Sequence, residues 1–160
     1  MVTLAWRTEV TAADVAKIRE LCAKTGFFSP AEIIMSGELV EARLEDGGAS
    51  DYDFIIAEID GALAGYTCFG HIEGTQSAFD LFWIAVDPAQ QGHGIGRQLL
   101  ARTEATIKAA GGSRFYAETS STPAYEPTRQ FYLRTGFREV AHVHDFYKPG
   151  DGKLIYERLV

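Results

Sequence analysis

The stretch that decides the fold is Leu81-Phe-Trp-Ile-Ala-Val-Asp-Pro-Ala-Gln-Gln-Gly-His-Gly-Ile-Gly-Arg-Gln-Leu-Leu100. An apolar run rich in β-favouring residues stops at Asp87-Pro88. It is followed by a glycine-rich turn, after which Ile95, Leu99, Leu100, Thr103 and Ile107 recur at helical spacing. A strand therefore runs through a turn into a helix whose first residues include Gly92, Gly94 and Gly96. Glycines remove the Cβ atoms that keep an anion away from the backbone. The unpaired N–H groups of a first helical turn, together with the helix dipole, then suit phosphate oxygens.

The elements on either side follow from the same signals. Thr11 and Asp14 have the spacing of a capping box, and Val15, Ile18 and Cys22 form an apolar stripe behind them. Ser29-Pro30-Ala31-Glu32 opens a second helix: a hydroxyl cap, proline at the first helical position and an acid at the third. Ile33, Gly37, Val40 and Leu44 are expected along its inner face, with Gly47-Gly48 ending it. Asp53–Ile59 and Ala62–His71 read as strands joined by the hairpin signal Asp60-Gly61. Phe79–Val86 is almost continuously apolar, the pattern of a strand buried on both faces. Gly111-Gly112 closes the helix that begins at Ile95, and Arg114–Thr119 reads as a strand. A short helix spans Pro127–Thr135 and stops at Gly136. Phe137–Phe146 and Leu154–Leu159 form a last antiparallel pair. The order βααβββαβαββ specifies an α/β fold, a mixed, mostly antiparallel sheet with helices on both faces. With no linker, repeat or low-complexity tract, residues 1–160 read as a single domain.

The turn rejects two common phosphate sites. A Walker A loop ends in Gly-Lys-Ser/Thr, where this chain has Gly96-Arg97-Gln98. A dinucleotide fingerprint G-x-G-x-x-G fails because position 97 is arginine. The spacing that matches is Q/R-x-x-G-x-G, here Gln91-Gly92-His93-Gly94-Ile95-Gly96. In this the chain resembles the GNAT superfamily of N-acetyltransferases, whose coenzyme A pyrophosphate loop has that pattern. Phe131-Tyr132-Leu-Arg-Thr-Gly136-Phe137 is similar to the family's F-Y-x-x-x-G-F segment and follows the first motif at the family's distance.

The resemblance implies a sheet splayed between its fourth and fifth strands, with acetyl-CoA as the acyl donor. Gln91, Gly92, His93, Gly94, Ile95, Gly96 and Arg97 would hold the pyrophosphate. The backbone of Ile84, Ala85 and Val86 would pair with the pantetheine arm, and the Ile84 N–H would face the thioester carbonyl, where charge grows during attack. Tyr132 matches the family tyrosine that acts as general acid toward the departing thiolate. An amine protonated at neutral pH must first lose a proton to a base. Asp80 occupies the strand position where several relatives carry one, and Glu118 on the fifth strand is the other candidate. His71, His142 and His144 are candidates for the acceptor pocket. Many relatives place asparagine seven residues before the tyrosine; Tyr125 stands there in this chain. Phe28, Tyr125, Asp145 and Tyr147 are therefore assigned to the acceptor wall, in a pattern shared with a bacterial subgroup of unnamed acceptor.

Composition bounds the rest. A hydrophobic share of 46% and a charged share of 23% are those of an ordinary globular protein. Cys22 and Cys68 are too few for a disulfide framework and read as reduced core thiols. A net charge of −7 speaks against a nucleic-acid partner, and no run is long enough to span a membrane. MVTLAWRTEV lacks an apolar signal core, so a cytoplasmic location is expected. No His/Cys cluster has zinc-like spacing, and no metal is expected. The expected partner is a small-molecule amine; a homodimer stays open. A protein or peptide N-acetyltransferase and a CoA-sensing module without turnover are the two rival functions.

Overall fold

The computed structural model describes residues 3–160; Met1 and Val2, the first residues of the MVTLAWRTEV stretch, lie outside the described residues. Among the described residues, seven strands and four α-helices follow the expected order: β1 (Leu4–Arg7), α1 (Ala13–Thr25), α2 (Pro30–Asp46), β2 (Asp53–Ile59), β3 (Ala62–His71), β4 (Ala78–Val86), α3 (Ile95–Ala109), β5 (Arg114–Ser120), α4 (Glu126–Arg134), β6 (Arg138–Lys148) and β7 (Asp151–Leu159). The strands order as β1-β2-β3-β4-β5-β7-β6. The pairs β1–β2, β2–β3, β5–β7 and β6–β7 are antiparallel. The β4–β5 pair is parallel, through Ala78↔Arg114, Phe79↔Phe115 and Asp80↔Tyr116.

The chain forms two compact units. One comprises the N-terminal stretch to Gly70 together with Trp83–Thr106. Period-two alternation sorts its strands into two faces. Phe54 and Ile56 of β2, with Tyr66 and Cys68 of β3, pack against Ile18, Leu21 and Cys22 of α1 and Val40 of α2. The odd-numbered positions serve α3: Thr67 Oγ1 meets Thr103 Oγ1 at 2.7 Å. A Cβ on Gly65 would stand 3.0 Å from the Ala85 carbonyl oxygen and 3.1 Å from Leu99 Cδ1, so the helix docks where a side chain is missing. Helices cover both faces here. Leu44, expected on the inner face of α2, is 42% exposed, because it lies in the helix's last turn, past the inward-facing Val40.

Helix starts differ in how far the capping signal is used. At α2 the box is complete: Ser29 Oγ accepts from Glu32 N, and Glu32 Oε1 accepts from Ser29 N. At α1 the helix begins at Ala13 and Thr11 is not its cap. The Asp14 carboxylate accepts the Thr11 N–H at 2.7 Å and the Thr11 hydroxyl at 3.3 Å, and is clamped by Arg7 through contacts of 2.7 and 2.6 Å. Half of the box survives; in place of the other half the Asp14 N–H donates to the Thr11 carbonyl at 3.0 Å.

The other unit comprises His71–Phe82 and Ile107–Val160. Its core is aromatic. Tyr132 of α4 lies 5.1 Å from Phe137 and 5.7 Å from Tyr156 of β7, and Phe115 of β5 meets Phe137 edge-on at 5.1 Å. The opposite face of these strands carries Asp80, Tyr116, Glu118, Lys153 and Glu157, with no helix of this unit over it among the described residues. That corrects the reading of β4 as buried on both faces: Phe82, on the same face as Asp80, is 39% exposed.

Candidate active site

In the first unit, β4 ends with Ala85 buried and Ile84 and Val86 half-buried. The Asp87 N–H donates to the Ala64 carbonyl at 2.8 Å, and Asp87 Oδ1 accepts from Ala89 N, which fixes a single turn over Pro88–Gln90. Gly92 (φ 84°) and Gly94 (φ 76°) then take left-handed conformations that L side chains resist. Nothing lies within 4 Å of a Cβ built on either. The turn needs glycine for its backbone, and the space above it is open. Gln91, His93 and Arg97 are exposed, Gly96 is half-buried, and Ile95 is a core residue that anchors the helix start. The Gln98 N–H donates to the Gly94 carbonyl at 3.0 Å. The N–H groups of Ile95, Gly96 and Arg97, ahead of that bond, are the orphan donors of a helix terminus. They sit at the positive end of a fifteen-residue helix. Such an arrangement of donors suits phosphate oxygens.

The same unit holds Phe28, whose ring packs 5.2 Å from that of Trp83 on β4. The Trp83 indole Nε1 is buried, and among the described residues no acceptor meets it in hydrogen-bond geometry. Trp83 was not singled out in the sequence; its signal was an aromatic directly before Ile84.

The second unit holds Tyr132, Asp80, Glu118, Tyr125, Asp145 and Tyr147. Tyr132 is 6% exposed, and burial, then the nearby Tyr156, pushes its phenol well above the ordinary tyrosine value. Its proton stays in place throughout the physiological range. Asp80 is half-buried; burial raises its carboxyl, the charge of Glu118 raises it further, and Lys153 pulls it back. Glu118 Oε2 accepts from Lys153 Nζ at 3.0 Å. Lys153 was not anticipated, because only the β5–β7 register brings it onto the face of Glu118. Tyr125 is half-buried at the end of the Pro123–Tyr125 turn. Asp145 has φ 57° and accepts the Gly150 N–H at 2.8 Å, which is turn chemistry; Tyr147 is 50% exposed. His71 Nε2 bonds the Thr75 carbonyl at 2.8 Å, and His142 and His144 stack at 3.9 Å on β6.

A family model described as the acetyltransferase (GNAT) domain matches residues 50–139, which take in the hairpin, the glycine turn and the F-Y segment. The chain belongs to the GNAT family of acetyltransferases. A GNAT-family acetyltransferase structure from Desulfovibrio desulfuricans is 40% identical, with a TM-score of 0.94 over 98% of this chain and 99% of that one. The IAA acetyltransferase of Azospirillum brasilense is 31% identical over 140 residues, 86% of this chain and 85% of its own. The PaiA N-acetyltransferase of Thermoplasma acidophilum, solved in complex with coenzyme A, shares the fold at a TM-score of 0.75 and 19% identity, over 99% of each chain. Among the described residues of this GNAT protein, no helix is long and apolar enough to cross a membrane.

Proposed function

We propose that this acetyltransferase uses acetyl-CoA as acyl donor and a primary amine of a small molecule as acceptor, by direct attack in a ternary complex. The observation that carries the donor is the turn at Gly92 and Gly94, with its orphan N–H groups at Ile95, Gly96 and Arg97. Coenzyme A brings a pyrophosphate, and this cradle is the right chemistry for it. The backbone of Ile84, Ala85 and Val86 receives the pantetheine arm, and the Ile84 N–H is the donor for the oxyanion.

Roles for the side chains follow from their environments. The amine must be neutral to attack, and Asp80 is the base we assign. Burial raises its proton affinity toward that of its partner, whereas Glu118 is engaged by Lys153. Tyr132 is the general acid we assign: its phenol, kept protonated by burial, donates its O–H to the sulfur as the C–S bond breaks. The aromatic pair Phe28–Trp83 favours a compact acceptor over an extended peptide.

Thiol release from acetyl-CoA tests this across a panel of small amines and lysine- or N-terminus-bearing peptides, with CoA binding followed by calorimetry. Turnover with at least one small amine, and none with peptides, is the expected result. Release with peptides only would move the protein to the rival class. Binding without release on every acceptor would make it a sensor.

A further inference from the structure

On one face of the second unit, three strands each present a charged side chain: Asp80 on β4, level with Tyr116 of β5, Glu118 two residues further along β5, and Lys153 on β7, which pairs with Glu118. Lys153 is not a loose surface lysine. Its ammonium is 3.0 Å from Glu118 Oε2 and 4.5 Å from the centroid of the Phe146 ring, and its side chain is 18% exposed. Held between a carboxylate and an aromatic face, it has little freedom to leave. Two carboxylates on one face compete for any incoming ammonium and for its proton, and without a counter-charge the pair would raise each other's proton affinity. A cation placed on one of them breaks that symmetry.

We infer that Lys153 is a positioning residue: it occupies Glu118 in an ion pair, so that Asp80 alone takes the proton of the acceptor amine. This rests on Asp80 being the base. The proton balance is simple. The ammonium form of the acceptor gives its proton to the Asp80 carboxylate, and the neutral amine keeps the electron pair that forms the new C–N bond.

The other charged groups facing Asp80 are already engaged. Tyr116, its register partner, donates to Glu157 at 2.8 Å, and Glu157 is also held by Arg138 at 2.9 Å and Arg114 at 3.5 Å. His71, at the end of β3 in the same unit, is bonded to the Thr75 carbonyl. That leaves Glu118 and Lys153 as the two groups that set Asp80, and they act in opposite senses.

The test needs no acceptor. Carbon-13 NMR of the side-chain carboxyls, on the full chain, gives the titration midpoint of Asp80. In Lys153→Met the midpoint should rise by roughly 1 pH unit, the size an opposite charge commonly imposes. In Glu118→Gln it should fall, and in Lys153→Arg it should stay near the parent. Opposite shifts from the two partners are something a purely structural role would not give. If the midpoint stays at the parental value in both Lys153→Met and Glu118→Gln, the inference is overturned. Should Lys153→Met fail to fold, Glu118→Gln and Lys153→Arg still decide: a downward shift in the first and none in the second supports it, and any other pair rejects it. The base assignment fails separately, by full turnover in Asp80→Asn with the active amine of the panel, and that result leaves the titration answer intact.

Discussion

The hydroxyls of Thr67 on β3 and Thr103 on α3 meet at 2.7 Å, with both residues fully buried. Thr103 also donates to the Leu99 carbonyl, at 2.8 Å, so its single proton is spent there and Thr67 must donate to Thr103. This stitch fixes the helix that begins at the glycine turn.

The consequence is an asymmetric pair of substitutions. Thr67→Val removes a donor and leaves Thr103 bonded to Leu99, a loss of about 0.5–1.5 kcal/mol. Thr103→Val strands the Thr67 hydroxyl in the core and should cost about 1–3 kcal/mol. The double valine variant should be more stable than the sum of the two losses suggests, since both polar partners are gone. Urea denaturation of the four proteins measures this. Additive losses would mean that the two hydroxyls do not interact.

A second buried pair gives a pH dependence. Burial alone would raise the Asp14 carboxyl, but the hydrogen bonds from Arg7 and Thr11 outweigh it and hold it below the ordinary value. A depressed carboxyl contributes stability that is present above its unfolded value and is lost as pH falls toward the folded one. Asp14→Asn removes the buried carboxylate and leaves Arg7 with Glu58, 2.9 Å away, as its charged partner, and should cost about 1.5–3 kcal/mol at pH 7. The gap to the parent should narrow as pH drops below about 4. A melting-temperature difference that stays constant from pH 7 to pH 3 would count against the pair as its source.

The glycine turn separates two kinds of damage. Gly94→Ala meets open space but a left-handed backbone, so it should lose about 1–2 kcal/mol of stability and weaken CoA binding as the turn relaxes. Gly65→Ala keeps an ordinary backbone but sets a Cβ 3.0 Å from the Ala85 carbonyl, in a contact with little room to yield. It should cost about 1–3 kcal/mol. It should also weaken CoA binding, by moving α3 against β4. Calorimetry and denaturation on both variants check this. Parental CoA affinity in a folded Gly94→Ala variant would remove the turn from the binding site.

Local chemistry made most of this architecture readable. Asp60-Gly61 predicted a hairpin, and both residues have positive φ, 51° and 79°, as a type I′ turn requires. The flanking strands fall where alternation put them, because one face of each must meet helices. The glycine turn was legible for the same reason: its residues satisfy a backbone need that a sequence states directly. Long-range relations were not. Whether Asp80 or Glu118 is free depends on Lys153, which lies 35 residues beyond Glu118 and joins it only through the β5–β7 register. Thr11–Asp14 was misread in part: the Asp14 carboxylate takes the Thr11 N–H as the box requires, but the Asp14 N–H goes to the Thr11 carbonyl and the helix starts two residues later, at Ala13. Asp145, assigned to the acceptor wall, also accepts the Gly150 N–H, a local turn contact that its type alone did not announce.

Tyr132 offers the sharpest chemical test. Its ring is packed by Phe137 and Tyr156, and its hydroxyl is held protonated by burial. Tyr132→Phe keeps the ring, so stability and CoA affinity should change little. If the hydroxyl supplies the proton for the leaving thiolate, the whole loss falls on the transition state. Turnover should then drop by about 10²–10⁴-fold with the acetyl-CoA Michaelis constant preserved. A thioester with a more acidic thiol should recover part of the rate, because its leaving group needs less help. Raised Michaelis constant with intact turnover would instead describe a binding role. Parental turnover, measured with chemistry as the slow step, would leave the phenol as a packing residue and require another donor for the thiolate.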